Sequence, residues 1–478
     1  VEVDNKIEWQ TKGCSLKAEF PLTVSNLNAT YNLGLGTIER GNNHEKKYEV
    51  PSHEWFDLTD ISGNYGVSIL EDCKYGSDKP SDNVIRLTLL YSPNTDDRND
   101  FTEQCWQDWG KHEFKYAIYG HKSNWADGET SWQGRKLNQP LAVFEAPIHK
   151  GKAGKSCSFA SVNTNQVEIL AIKKAEREDV VIVRVKELLG KPASNVQLLI
   201  GNGIISAYEV NGQEFKIADA VVKDSKLTFD IGTYGIRTFA LKLKSTRQKI
   251  AKPDYEFVKL DYNADVISSD KNKADGKMAQ DCSYAAELMP CVITSESVEF
   301  TTSPKADGQN NVVVCKGQEI KLPKGKYNRL YILAAADEDT KDVFKIGSQE
   351  TFMGVQSWTG FVGQWYNRVF NEVFPEVSYE GRFTLKAIDA PFIKRDTIAW
   401  FGKHRHTQTA NDAYRFTYMF KYALDIPAGA KSVVLPANDK IKIFAMTVAK
   451  NQNDATKPAC LLYDDFKDKK QLKIKNSK

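Results

Sequence analysis

The chain has 478 residues, 41% hydrophobic and 27% charged, an ordinary globular composition in a chain too long for one core. Its 65 basic and 62 acidic side chains leave a net charge of +3, which is no electrostatic footprint for nucleic acid. No window approaches the length and apolarity of a membrane span.

The chain opens on Val-Glu-Val-Asp-Asn-Lys, with neither Met nor signal peptide, and reads as the middle of something: a processed chain or a fragment. Leu16, Ala18, Phe20 and Leu22 alternate against Lys17 and Glu19, the pattern of a half-buried strand. Strands are further expected at Ala29–Leu35, in Tyr48–Leu58 (where Pro51 marks an edge or an end), at Val67–Leu70 and at Ile85–Tyr91. The stretch Asp108–His121 alternates at its centre, with Phe114, Tyr116 and Ile118 on one face and Lys115 and Ala117 on the other. Glycines, Asp108, His112 and His121 flank that centre, so the stretch reads as a buried rung that delivers polar groups to loops. Val167–Lys173, Val180–Val185, Val196–Ile200, Leu227–Ile231 and Thr238–Leu243 follow as short strands. Such spacing indicates antiparallel β-sandwiches, an all-β fold; the absence of strand–helix alternation excludes a β/α barrel.

Composition turns basic and polar near Ser245–Pro253, and Asp261–Gln280 reads as a long loop. A second strand-rich block contains two echoing segments, Ile320–Gly325 and Leu424–Gly429, each leading into an apolar run. The lysine-rich end, Lys467–Lys478, is expected to fray. Eight scattered cysteines form no Cys-x-x-Cys, so neither a zinc ribbon nor a disulfide framework is expected.

His404 and His406 would share one strand face and make a feasible metal pair, but no carboxylate follows closely and Lys403 and Arg405 oppose a cation; no metal site is expected in this chain. Trp358, Trp365 and Tyr366, on a glycine-hinged loop, have faces suited to stacking a sugar, against the plainer reading of core or interface packing. No phosphate loop and no Gly-x-Ser-x-Gly elbow occur.

Taken in order, residues 1–244 resemble the C-terminal region of the α-mannosidases of glycoside hydrolase family 38. The segments that carry the resemblance are Leu16–Leu22, Ala29-Thr30-Tyr31, Gly36-Thr37-Ile38-Glu39-Arg40, Tyr48–Leu58, Asp72–Gly76, Leu87–Leu90, Asp108–Tyr116, Leu137–Leu141, Lys173–Glu176 and Arg184–Glu187. The second block, through Lys316-Gly317-Gln318, Leu322-Pro323, Gly360–Trp365 and Leu424–Lys431, looks like the tail of bacterial members.

The resemblance implies a retaining exo-α-mannosidase whose N-terminal β/α domain binds zinc through two histidines and two aspartates, one aspartate being also the nucleophile. The family's first zinc motif is His-x-Asp. Here the residues two after each histidine are Lys46, Trp55, Phe114, Ser123, Gly151, His406 and Gln408. The expectation is therefore a non-catalytic C-terminal portion, with no catalytic residue in this chain and zinc confined to a missing N-terminal domain. Its expected partners are that catalytic domain and a mannose-containing oligosaccharide or glycan; a glycan substrate class also suggests an exported location. Residues 1–248 would form the family's β-sandwich region, 249–298 a linker and packing segment, 299–450 a smaller, carbohydrate-binding-like sandwich, and 451–478 a tail. Arg40 is matched to an arginine that approaches the family's zinc pocket, although Gly41-Asn42-Asn43 depart from the usual following residues. His53, Asp108 and His112 are lesser pocket candidates. The rival readings are a stand-alone carbohydrate-binding β-sandwich protein and a sandwich lyase using His112 with Tyr116.

Overall fold

The computed structural model describes all residues except 12, 93–108, 147, 149–153, 246–251, 366, 371–384, 452–453, 455, 461–468 and 475–478. Asp108 and Tyr366, both expected site residues, lie outside the described residues.

The first sandwich is built from β1 (Glu2–Trp9), β2 (Cys14–Pro21), β3 (Ala29–Asn32), β4 (Thr37–Arg40), β5 (Val50–Pro51), β6 (Trp55–Thr59), β7 (Tyr65–Glu71), β8 (Gly76–Ser81), β9 (Val84–Ser92) and β10 (Gly110–Lys122). Its sheets run β1-β10-β7-β6-β3-β4 and β2-β9-β8-β5. Alternation along the strands sends Phe20, Tyr31, Phe56, Leu58, Ile69, Leu87 and Phe114 into the space between them. Strand β8, Gly-Ser-Asp-Lys-Pro-Ser, has no apolar run. It is buried because Asp78 accepts hydrogen bonds from Arg86, Lys17 and Asn43, so its polar groups are paired as they leave water.

The outer face of the six-stranded sheet is covered by a helix, α1 (Thr130–Asn138), which the sequence pattern does not announce. Nine residues with no side-chain cap would not hold a helix in water. Packing supplies what propensity lacks: Trp55, Leu70 and Ala117 of the sheet meet Trp125 and Leu137. Gly134 permits the close approach, because a Cβ there would stand 3.2 Å from Trp55 Cδ1.

A second sandwich follows. One sheet contains Ala160–Val162, Ala193–Ile200, Lys226–Ile231 and Val221–Lys223; the other contains Val167–Lys174, Val181–Glu187, Ile236–Leu243, Ile204–Val210 and Lys216–Asp219. Val183, Val185, Leu198, Leu227, Phe239 and Leu241 fill it.

The third sandwich sets an eight-stranded sheet, centred on Arg329–Ala336, Asn411–Asp425 and Ile441–Lys450, against Glu319–Lys321, Ser432–Val434, Thr340–Ile346 and Gln349–Val355. Residues 249–298, expected as a linker and packing segment, enter this sandwich. Asp254–Phe257, Ile267–Ser268 and Ser283–Ala285 are strands of the eight-stranded sheet, and Val258, Met278, Cys282, Tyr284 and Met289 are buried in its core. The polar loop residues of this segment hid them. Of the end expected to fray, residues 467–468 and 475–478 lie outside the described residues; between them Leu472–Lys473 pairs with Leu385–Ile388, and Leu472 is buried among Trp9, Leu90, Trp109 and Ile388. The cysteines among the described residues are free thiols. Among those residues, no helix is long and apolar enough to cross a membrane.

Candidate functional site

Where β3, β6, β7 and α1 converge, Gly34, His53, Glu54, Glu71, Cys73, Lys74, Tyr75, Arg135 and Asn138 line a polar cleft of about 220 Å³. The backbone that shapes it is unusual. Glu54 (φ 66°) and Cys73 (φ 52°) both take the left-handed conformation, which side chains other than glycine adopt only where the surroundings hold them. His53 is fixed through its main chain: its N–H donates to Asn32 O at 2.8 Å, and its carbonyl accepts from Asn32 Nδ2 at 2.6 Å. Its imidazole is exposed and stands 5.4 Å from the Tyr75 ring, centroid to centroid.

Charge in the cleft is organised by Arg135, delivered from α1. Its Nη1 donates to Glu54 Oε1 at 2.5 Å, and its Nε and Nη2 fork onto Glu168 of the second sandwich at 2.7 and 3.1 Å. Lys186, also from the second sandwich, donates to the Gly34 carbonyl, and Tyr234 OH lies 2.5 Å from Thr37 Oγ1. The cleft therefore sits on a polar seam between the first two sandwiches. Burial raises the Glu54 carboxyl and Arg135 opposes that rise; burial lowers the Lys186 ammonium, with Glu168 opposing.

Glu71 is the most perturbed group of the cleft lining. Burial pushes its carboxyl up to about 8, the Ser52 hydroxyl (donating to Oε2 at 3.2 Å) lowers it, and the charge of Glu54 raises it again. Its Oε1 is buried with no hydrogen-bond partner among the described residues. At neutral pH Glu71 is thus a protonated acid, able to donate a hydrogen bond, beside the Glu54–Arg135 ion pair.

Of the pocket residues expected from the sequence, His53 is in the cleft. Arg40 is not among the cleft-lining residues: its Nη1 donates to Pro51 O at 2.9 Å and its guanidinium rests 5.3 Å from the Tyr31 ring centroid. His112 stands on β10 opposite Ile7, four residues from Tyr116, which opposes Glu71; it too lies outside the lining. The sugar-stacking role expected of Trp358 is corrected. It is 1% exposed and packs on Tyr284 in the third core, so neither face can meet a ligand. Trp365 is 66% exposed. Sequence reasoning missed Glu54, Glu71, Arg135 and Lys186. Glu54 adjoins His53 and could have been found by it; Arg135 and Lys186 come from elements far along the chain.

Residues 1–99 match the glycosyl hydrolases family 38 C-terminal domain, residues 166–239 the family 38 C-terminal β-sandwich domain, and residues 254–452 the AziU2-like β-sandwich domain. The last match takes in most of the segment read as a linker, and covers the block in which the sequence suggested a family 38 tail. The chain is similar to alpha-mannosidase 2C1 of Mus musculus, at 32% identity over 183 residues, and to alpha-mannosidase G of Dictyostelium discoideum, at 30% over 196. These stretches are 37% and 40% of this chain but only 16% and 17% of the relatives' lengths. A solved α-mannosidase from Enterococcus faecalis V583 aligns with 50% of this chain and 27% of its own, at 18% identity and a TM-score of 0.43. The first and second sandwiches thus carry segments similar to the C-terminal domains of glycosyl hydrolase family 38, and the third is similar to the AziU2-like β-sandwich domain.

Proposed function

We propose that this chain is the non-catalytic C-terminal portion of a retaining, zinc-dependent exo-α-mannosidase that hydrolyses terminal α-mannosides of oligosaccharides or glycans. Its sandwiches buttress a separate β/α catalytic domain, and the cleft of His53, Glu54, Glu71 and Arg135 contributes to the rim of the substrate pocket. The observation that carries this reading is the pair of family 38 C-terminal matches, one of which contains most of the cleft lining, in a chain similar to α-mannosidases.

The family's zinc does not fit the residues present. No histidine is followed two residues later by Asp. Among the described residues, the one group of three metal-capable side chains, Glu287, His404 and His406, lies outside both family 38 segments. No bond-breaking step is therefore assigned to this chain. Its contribution is to hold and orient: the part-exposed Arg135–Glu54 pair offers both donors and acceptors to sugar hydroxyls.

The expected outcome is no turnover of an aryl α-mannoside by the chain alone in chelator-treated buffer, and a His-x-Asp motif with a β/α pattern in the reading frame upstream of Val1. Turnover by the isolated chain would overturn the proposal. In an enzyme joining both parts, His53→Ala raises KM roughly fivefold with kcat little changed, as loss of uniform binding requires.

A second reading rests on Trp365, exposed with Phe361 on the same loop: carbohydrate binding by the third sandwich. Calorimetry with mannose and mannobiose tests it. Heat that disappears in Trp365→Ala supports it, and no heat with either sugar ends it.

A further inference from the structure

Strand Thr397–His406 ends in Lys-His-Arg-His, and its pairing with Asn411–Asp425 is irregular between Gly402 and His404. Irregularities of this kind re-aim the side chains beside them. Here the two imidazoles come together on one face, 5.5 Å apart between centroids and 28° from parallel. Arg405 points elsewhere, its Nε donating to Asp412 at 2.8 Å.

The carboxylate missing from the local sequence arrives from 117 residues earlier. The short 3-10 turn Ala286–Leu288 places Glu287 Oε1 3.0 Å from His404 Nε2 and 3.1 Å from His406 Nε2. The three donor atoms all lie within 4.8 Å of one another. A tetrahedral ion with bonds of about 2.0–2.1 Å sets its ligand atoms about 3.3 Å apart. Two edges of the cluster are already close to that length.

The surroundings are built as well. His406 is fully buried, and its other ring nitrogen, Nδ1, is 2.8 Å from Ser268 Oγ, which in turn contacts Ser283 Oγ. Ser268 and Ser283 are themselves buried. A hydroxyl held at Nδ1 can accept a hydrogen bond from the ring N–H there, leaving the Nε2 lone pair free for an ion, which is how metal-bound histidines are oriented. The nearby Lys273 ammonium is paired with Asp270 at 2.6 Å.

We propose that Glu287, His404 and His406 form a binding site for a divalent transition cation, zinc by edge length and donor type, in the AziU2-like domain. Two imidazoles and one carboxylate leave a fourth position for water or an exogenous ligand. The ion would also clasp the 3-10 turn to the end of the strand, tying together two segments that the sequence keeps far apart. This site is independent of the family 38 segments and of the mannosidase reading.

The test is titration of the metal-free 478-residue chain with Co²⁺ and Zn²⁺, after alkylation of its exposed thiols at Cys14, Cys73, Cys157, Cys291 and Cys460. One equivalent of Co²⁺ should bind with the visible absorption of a four-coordinate nitrogen and oxygen site, be displaced by Zn²⁺, and raise the melting temperature. Glu287→Gln and His404→Gln, at partly exposed positions, should weaken binding about a hundredfold or more, and Ser268→Ala about tenfold, with unchanged circular dichroism. No stoichiometric uptake, or uptake undiminished in Glu287→Gln and His404→Gln, overturns the proposal and leaves a carboxylate shared by two histidine hydrogen bonds.

Discussion

His121 Nε2 lies 2.7 Å from Asp57 Oδ1, and neither side chain is more than 1% exposed. Ser68 donates to the same carboxylate at 2.7 Å and Thr59 to its other oxygen at 2.6 Å, so the buried charge is fully partnered. Burial disfavours the imidazolium, but the hydrogen bond to Asp57 and its charge outweigh that, and His121 titrates above its ordinary value. A group raised on folding stabilises the protein fully below its unfolded pKa, and loses that contribution as pH rises through the folded value. Asp57→Asn is therefore expected to cost on the order of 3 kcal/mol at about pH 5.5 and clearly less at about pH 8.5. Urea unfolding at the two pH values checks this; equal losses would refute the charged pair.

Glu71 adds a slope of the same sign for a different reason. Its carboxyl titrates near 4.5 when unfolded and at about 8 when folded, so stability falls as pH rises through that interval. Glu71→Gln keeps the shape and removes the ionisation. It is expected to raise stability by on the order of 2–3 kcal/mol at about pH 7.5 and to flatten the pH profile. A variant that is less stable at neutral pH would show that the carboxyl is needed in its ionised form.

Arg135 holds a carboxylate of each of the first two sandwiches, Glu54 and Glu168. Arg135→Met strands both. The expected loss is on the order of 3 kcal/mol, with partial recovery when Glu168→Gln is added, because one uncompensated charge is then removed. Arg135→Lys should not restore stability, since an ammonium cannot reproduce the fork. Denaturant midpoints of the single and double variants decide it.

Leu472 is 5% exposed, packed on Trp9, Trp109 and Ile388. Leu472→Ala is expected to cost about 2–3 kcal/mol and to alter tryptophan fluorescence. A loss below a few tenths of a kcal/mol would return this segment to the status of a loose tail.

Strands with alternating apolar residues were legible: the expected Leu16–Leu22, Ile85–Tyr91 and Val167–Lys173 appear as Cys14–Pro21, Val84–Ser92 and Val167–Lys174. What escaped was structure stabilised by partners remote in sequence. Gly76–Ser81 is a buried strand because Arg86, Lys17 and Asn43 satisfy Asp78, and no local pattern encodes that. Helix α1 exists because Trp55 and Ala117 offer it a surface. The cleft followed the same rule. His53 was visible within the Tyr48–Leu58 motif, whereas Arg135 depended on the unforeseen helix, and the raised pKa of Glu71 is a property of burial. Arg40, the position matched to the family's pocket arginine, donates to Pro51 and rests on Tyr31, outside the cleft lining.

The cluster that joins Trp9 to Leu472 also orders events during synthesis. Every residue of the first sandwich leaves the ribosome before the strand that covers Trp9 and Trp109 has been translated. Trp9 and Trp109 therefore wait for the cover of Leu472 while more than three hundred residues are added, leaving apolar surface that a chaperone could shield. Slow translation or truncation before Leu472 would leave a nascent chain with folded sandwiches and a sticky seam.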